Sequence, residues 1–192
     1  MPTSALKTDQ ELVRESIVDR HAFAALVAKY EAPLRRYMKR LGINSPEDAD
    51  DVLQEAFIKA YVNLNDYDHS LPFGAWMYRI THNETISHFR KQRVRPRVVE
   101  TEEDLVLFEN IVDTTDIPAE IDKKILKAAV YKALAGIAEQ YRNVLVLRFL
   151  EEKSYDEIAE ILQIPSGTVA TYISRGKREL KDILKKFTSA DV

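Results

Sequence analysis

The first side chains in this sequence with chemical potential are a run of carboxylates. Glu47, Asp48, Asp50, Asp51 and Glu55 lie between residues 44 and 55 with no basic residue among them. Such a cluster could bind a metal ion or move protons, but both tasks need partners. No His stands at helical spacing from these acids, and no nucleophile sits beside a candidate base, so neither a metal site nor a catalytic centre follows. Without Cys, thiolate nucleophiles, zinc–thiolate sites and disulfides are excluded, which fits a reducing cytoplasm. The five glycines are scattered and form no phosphate-cradling loop of the G-x-G-x-x-G or G-x-x-x-x-G-K kind. The expectation is no catalytic residue, no metal and no cofactor.

A second group mixes aromatic and basic side chains. Phe73, Trp76, Tyr78, Arg79 and Asn83 run on to Phe89, Arg90, Lys91 and Arg93. Aromatic faces can stack on unpaired bases while cations hold the phosphate backbone. Phe73, Trp76 and Ile80 fall at helical steps, however, which suits a core position, so Arg79, Asn83, Arg90, Lys91 and Arg93 are the better nucleic-acid candidates.

The third group spans Ser154 to Ile173 and onward. Ser154 with Glu157 makes a capping box for a short helix whose apolar face is Ile158, Ala159 and Leu162. Pro165 closes a turn, Ser166 can cap the next helix, and Val169 and Ile173 bury that helix against the first. The outward face then carries Thr168, Ala170, Thr171, Tyr172, Ser174, Arg175 and Arg178. A helix-turn-helix presents such a face to duplex DNA, its first residues toward base edges and its cations toward phosphates. An αα-corner in a helical bundle shares the apolar spacing.

The elements that must position these groups are all helical. Phe23, Leu26, Val27, Tyr30, Leu34, Tyr37, Met38 and Leu41 recur at three- and four-residue steps, and Gly42 stands at the C-cap. Ser45-Pro46-Glu47-Asp48 opens a helix predicted to reach about Asn63, and Pro72 opens a third. Residues 94–121 hold two Pro, an acid excess and weak periodicity, and read as a linker with a short helix around 102–110. Helices follow over 122–138, 140–150, 154–162 and 166–187. The prediction is an all-α chain of two small helical domains joined by a flexible acidic linker.

Charge follows the same division. The 192 residues carry 28 Lys+Arg against 31 Asp+Glu, a net −3 that, taken alone, disfavours nucleic acid. The sum hides an alternation. Residues 88–97 hold five bases and no acid, while 98–122 hold nine acids and no base. Residues 29–40 and 172–186 are again basic, so the local fields suit DNA whatever the total. The longest apolar run is Ala22 to Ala28, far short of the roughly 20 residues a membrane helix needs. No basic stretch and apolar core stand at the amino terminus, so neither secretion nor direct membrane insertion is expected.

Residues 156–180 resemble the region 4 helix-turn-helix of bacterial RNA polymerase sigma factors of the extracytoplasmic-function (ECF) group, in the sigma-70 family. The resemblance rests on Ile158-Ala159-Glu160-Ile161-Leu162, Ile164-Pro165-Ser166-Gly167-Thr168-Val169, Arg175, Lys177 and Leu180. Two departures stand out: Gln163 where the family often has a turn Gly, and Ala170 and Tyr172 where bases are common. Asp51-Val-Leu-Gln54-Glu55-Ala-Phe57 is similar to the Asp-x-x-Gln-Glu-x-Phe segment of sigma region 2, and residues 73–91 to the helix that follows it. This resemblance implies region 2 over 15–93 and region 4 over 122–187, separated by the linker 94–121.

It further implies that Asp48, Asp51, Gln54 and Glu55 dock on core RNA polymerase, whose β′ and β subunits are the expected partners. Promoter DNA would meet Asn65, Asp66, Tyr67, Arg79, Asn83, Arg90, Lys91 and Arg93 at the −10 element. It would meet Ser166, Thr168, Ala170, Thr171, Tyr172, Ser174, Arg175 and Arg178 at the −35 element. The loop from Asn65 to Leu71 matches the place where the group captures a flipped base, and an anti-sigma factor is the expected regulator. From the residues alone, an exposed acidic helix face and a dimeric regulator that binds a palindrome without polymerase stay open.

Overall fold

The computed structural model describes residues 7–92 and 123–189, with side chains described for 7–92 and 129–185. Arg93, the acidic stretch 94–121 and its expected short helix lie outside the described residues. Among the described residues the chain is helical and contains no strand.

The first half is built from four helices, α1 (Asp9–Val18), α2 (Phe23–Leu41), α3 (Pro46–Val62) and α4 (Phe73–Gln92). Gly42 ends α2 in the left-handed region at φ 116°, donating its N–H to the Met38 and Lys39 carbonyls. Ser45 then caps α3, its hydroxyl accepting from the Asp48 N–H at 3.2 Å with Pro46 in the first helical position. Leu26, Leu34, Tyr37, Met38 and Met77 are fully buried where α2, α3 and α4 meet. In the same core the Tyr37 hydroxyl lies 2.9 Å from His82 Nδ1, and burial pushes His82 down to about 4, so it stays neutral.

α1 is not anticipated by the periodicity, which begins near residue 20. Its signal is local: Thr8 and Glu11 form a capping box, the Glu11 carboxylate accepting from the Thr8 N–H at 2.8 Å. Asp9 fastens the helix down, accepting from Lys29 at 2.5 Å and from the Tyr30 hydroxyl at 2.7 Å.

The second half contains α5 (Lys123–Gly136), α6 (Glu139–Leu145), α7 (Tyr155–Leu162) and α8 (Ser166–Ser189). α5 and α6 both pack on α8. Gly176 permits a close approach of α8 to α6: a Cβ there would meet Tyr141 Cβ and Leu145 Cδ1 at 3.1 Å. The expected single helix over 140–150 is instead α6 followed by a π-turn over Val146–Leu150. There the Glu151 N–H reaches back five residues to the Val146 carbonyl, widening the last turn.

Gln163 occupies the left-handed region at φ 54° and ψ 47°, the conformation for which the turn favours Gly. Its side-chain amide donates to the Glu160 carbonyl at 2.7 Å, giving partial compensation. Gln163→Gly is therefore expected to raise stability by about 0.5–1 kcal/mol, read as a higher urea midpoint at unchanged slope.

The two halves are in contact, α7 lying against α4. Arg40, counted among the basic residues of 29–40, is buried at 3% exposure rather than facing solvent. In the same block Arg35 is tied to Asp50 at 2.5 Å and Glu31 at 3.1 Å. That block is thus largely an internal charge network.

Candidate nucleic-acid and docking surfaces

The helix-turn-helix is assembled by the Ser154 capping box, with the hydroxyl accepting from the Glu157 N–H at 3.2 Å and Glu157 accepting from the Ser154 N–H at 2.8 Å. Ile158 and Ile161 on α7 and Val169 and Ile173 on α8 fill its interior. Ser166 is the first residue of α8 and caps it less directly than expected. The Pro165 carbonyl accepts from Thr168 and Val169, while the Ser166 hydroxyl donates to Asp156 of α7 at 3.0 Å. Ser166, Ala170, Thr171, Ser174, Arg175 and Arg178 are exposed on one side of α8, and Thr168 and Tyr172 are half-buried. The Tyr172 ring is turned inward, packed edge-on against Tyr141 at 5.4 Å, which leaves only its rim for a ligand. Arg175 beside the Tyr141 hydroxyl holds that phenol below its usual range.

On α4 and the loop before it, the candidate −10 residues separate. Asp66, Arg79 and Asn83 line one recess of about 340 Å³, together with Lys59, Asn63, Trp76, Ile80 and Glu84. Lys59 and Asn63, at the end of α3, were not singled out by the sequence. Their only signal is helical spacing, which carries α3 past the docking segment to this recess. Asn65 is exposed nearby, and Arg90 and Lys91 are exposed at the far end of α4. Tyr67 is corrected: its ring is 3% exposed, packed against Phe73 and Trp76, and its hydroxyl donates to the Leu71 carbonyl. It supports the loop from beneath. Arg79 also departs from a free cation, because its guanidinium is paired with Glu160 of α7.

The acidic face of α3 presents Asp51, Gln54 and Glu55 to solvent. Asp48 differs, being half-buried and accepting from Gln92 of α4 at 3.1 Å with His88 3.7 Å away. Asp48 thus braces α4 more than it faces outward. Beside the acids lies an apolar groove of about 540 Å³ floored by Phe23, Val27, Leu53, Phe57, Ile58 and Tyr61, with Gln54 and Asp50 on its rim. Ile58, Tyr61 and Val62 are 49%, 42% and 69% exposed. An apolar floor with a charged rim is the composition of a protein-docking surface. The sequence of residues 51–61 points only to the rim. Among the described residues no group of His, Asp and Glu side chains could hold a metal ion.

Sequence comparison identifies the two halves separately. Sigma-70 region 2 matches residues 26–95, and Sigma-70, region 4 matches residues 127–180. The ECF RNA polymerase sigma factor SigW of Bacillus subtilis is 36% identical over 172 residues, spanning 87% of this chain and 91% of its own. This chain belongs to the ECF sigma factors. The RNA polymerase sigma-H factor of Pseudomonas aeruginosa is 34% identical over 92% of this sigma factor and 94% of its own length. The ECF RNA polymerase sigma-E factor of Escherichia coli K12 is 32% identical over 90% and 92%.

Among solved structures, CnrH in complex with the cytosolic domain of CnrY has a TM-score of 0.68 at 25% identity. It covers 93% of this sigma factor and 97% of the CnrH chain. RpoE of Bartonella quintana, solved with the anti-sigma factor NepR, shares the fold at a TM-score of 0.60 and 22% identity, over 85% and 96% of the two chains. The sigma factor's α3 and α4 surfaces fall inside the region 2 match, and its exposed α8 face falls inside the region 4 match.

Proposed function

We propose that this sigma factor docks on core RNA polymerase through α3, opens and grips the −10 strand at α4, and reads the −35 duplex with α8. The observation that carries the reading is the recess at the α3–α4 corner. Asn83, Asp66, Asn63 and Lys59 place donors and acceptors around the buried edge of Trp76, and a volume of about 340 Å³ is within the range of small-ligand sites. An unstacked base would find hydrogen-bond partners there, with Arg90 and Lys91 as phosphate contacts. Core polymerase would cover the apolar groove, with Asp51, Gln54 and Glu55 meeting basic side chains of the β′ subunit.

The protein is on this reading an initiation factor, not an enzyme, acting in the cytoplasm with polymerase and promoter DNA. No described helix is long and apolar enough to cross a membrane. RpoE of Bartonella quintana is solved in complex with the anti-sigma factor NepR, and an anti-sigma factor is part of the proposal here.

In vitro transcription with core enzyme tests it. Promoter-dependent initiation is expected, and Arg175→Ala should weaken −35 binding by about 5- to 30-fold, the scale of one lost charge-assisted contact, at unchanged core affinity. Tight binding of a palindromic operator by the protein alone, with no initiation from any promoter, would overturn the reading.

A further inference from the structure

The first turn of α1 lies outside the region 2 match, which begins at residue 26, yet it is bonded toward the α3–α4 recess at two points. The Gln10 side-chain amide donates to the His69 carbonyl at 3.2 Å, in the loop between α3 and α4. Asp9 accepts from the Tyr30 hydroxyl at 2.7 Å and from Lys29 at 2.5 Å. The Thr8–Glu11 capping box fixes this turn, and Leu12 and Val13 bury the middle of the helix. α1 also packs against the turn over Leu64–Asp66 that opens the loop.

From Tyr30 a continuous aromatic wall runs to the recess. The Tyr30 ring meets Phe73 edge-on with centroids 5.5 Å apart. Phe73 meets Tyr67 at 5.4 Å and Trp76 at 5.6 Å, and Tyr67 meets Trp76 at 5.2 Å. Trp76 lines the recess together with Asp66. His69, whose carbonyl Gln10 holds, sets its ring 5.0 Å from Tyr67. Gly74 leaves room for the Tyr30 hydroxyl, since a Cβ there would lie 3.1 Å from it. Burial and the Asp9 carboxylate push the Tyr30 phenol far above its usual range, so it stays a donor. Both bonds from α1 therefore end on the wall behind Trp76, one through the loop backbone and one through Tyr30.

We propose that α1 is a positioning clamp for this loop, with Gln10 and Asp9 holding His69 and Tyr30 so that the recess keeps a fixed shape for an unstacked base. That the recess takes a base rests on the function proposed above; the clamp itself does not. Neither Gln10 nor Asp9 lines the recess, so both act through other residues.

The loop does not set this geometry by itself. Residues 67–72 form neither helix nor strand, and their own bonds are local. Asp68 accepts from the Ser70 and Leu71 N–H groups, and Tyr67 donates to the Leu71 carbonyl. Such bonds shape the turn but do not fix its place against α4, and irregular segments are the more mobile part of a fold. A binding constellation has to be held within about 0.5 Å of its productive geometry, which calls for a contact from a regular element. α1 supplies it. A ten-residue helix does not persist without tertiary packing, so the folding of α1 and the fixing of the loop occur together.

Gln10 is exposed, so its substitution tests the bond without disturbing a core. Gln10→Glu keeps the size but cannot donate to a carbonyl, whereas Gln10→Lys can. In the first turn of a helix an acid is stabilising and a base is not, so helix stability alone ranks Glu above Lys. The clamp ranks Lys above Glu.

Trp76, the single Trp of the chain, is 5% exposed and reports on the wall in the full-length protein without DNA. Acrylamide quenching of Trp76 should rise about twofold in Gln10→Glu and in Tyr30→Phe, as local opening admits the quencher, and stay near the native value in Gln10→Lys. Circular dichroism identifies a Tyr30→Phe protein that fails to fold, and the Gln10 pair then decides. With core enzyme, selection from a pool of randomised single-stranded oligonucleotides reads the consequence. The native complex is expected to enrich one base at one position. Gln10→Glu should lose about three- to tenfold of that enrichment, the scale of one hydrogen bond, while Gln10→Lys keeps it, both at unchanged core affinity. Unchanged Trp76 quenching in Gln10→Glu, or equal effects of Glu and Lys, would overturn the clamp. A native complex that enriches no base overturns the −10 reading instead, and the Trp76 readout still decides the clamp.

Discussion

Ile158→Ala is expected to destabilise the helix-turn-helix by about 2–5 kcal/mol, the range for removing a large aliphatic side chain from a packed interior. Ile158 is 0% exposed on an eight-residue helix, too short to persist without tertiary packing. α7 packs on α8, on the π-turn and on α4, so a cavity beneath Ile158 weakens several contacts together. Against a typical domain stability of about 5–15 kcal/mol, the loss leaves a substantial unfolded fraction at elevated temperature. Denaturant unfolding measures it directly, and Ile158→Val, expected to cost about 0.5–1.5 kcal/mol, is the graded control. Duplex binding by α8 should fall with the folded fraction in the first variant and survive in the second.

The second large effect is expected at the α3 groove. Tyr61 is 42% exposed and leans edge-on against Phe23 with ring centroids 5.2 Å apart, giving a rigid aromatic anchor at a groove with a charged rim. Aromatic anchors of this sort dominate protein interfaces, and truncation commonly costs 2 kcal/mol or more, about 30-fold in affinity. Tyr61→Ala should therefore lower affinity for core polymerase by roughly that factor, mainly through faster dissociation. Asp51→Lys acts differently. Asp51 is exposed on the rim, so reversing its charge should slow association and weaken with added salt. Both sites are exposed enough that thermal stability should shift little, and surface plasmon resonance against core enzyme separates the two rates. Equal loss of melting temperature and affinity would instead indicate damage to region 2.

Much of this architecture is legible in local sequence, because local physics decides it. Gly42 and Ser45-Pro46 mark the α2–α3 boundary since a left-handed C-cap and a hydroxyl N-cap each need particular residue types. Ser154 and Glu157 do the same for α7. The Thr8–Glu11 box was equally legible, but it precedes the region where periodicity becomes strong. What spacing does not encode is pairing between distant charges. Arg40 and Arg79 look like free cations in the sequence, and their acidic partners stand in the other half of the chain. The π-turn is illegible for a similar reason, since Val146 to Leu150 are apolar residues that suit an α-helix as well. Tyr67 shows the limit for the site: a Tyr in a polar loop reads as exposed until the aromatic wall beneath it is known.

The apolar groove on α3 also bears on how the protein behaves when no partner covers it. Ile58, Tyr61 and Val62 leave much of their surface in water, and exposed apolar patches of this kind favour self-association. Protein in excess over its partner is then prone to aggregate through the same face that is proposed to dock.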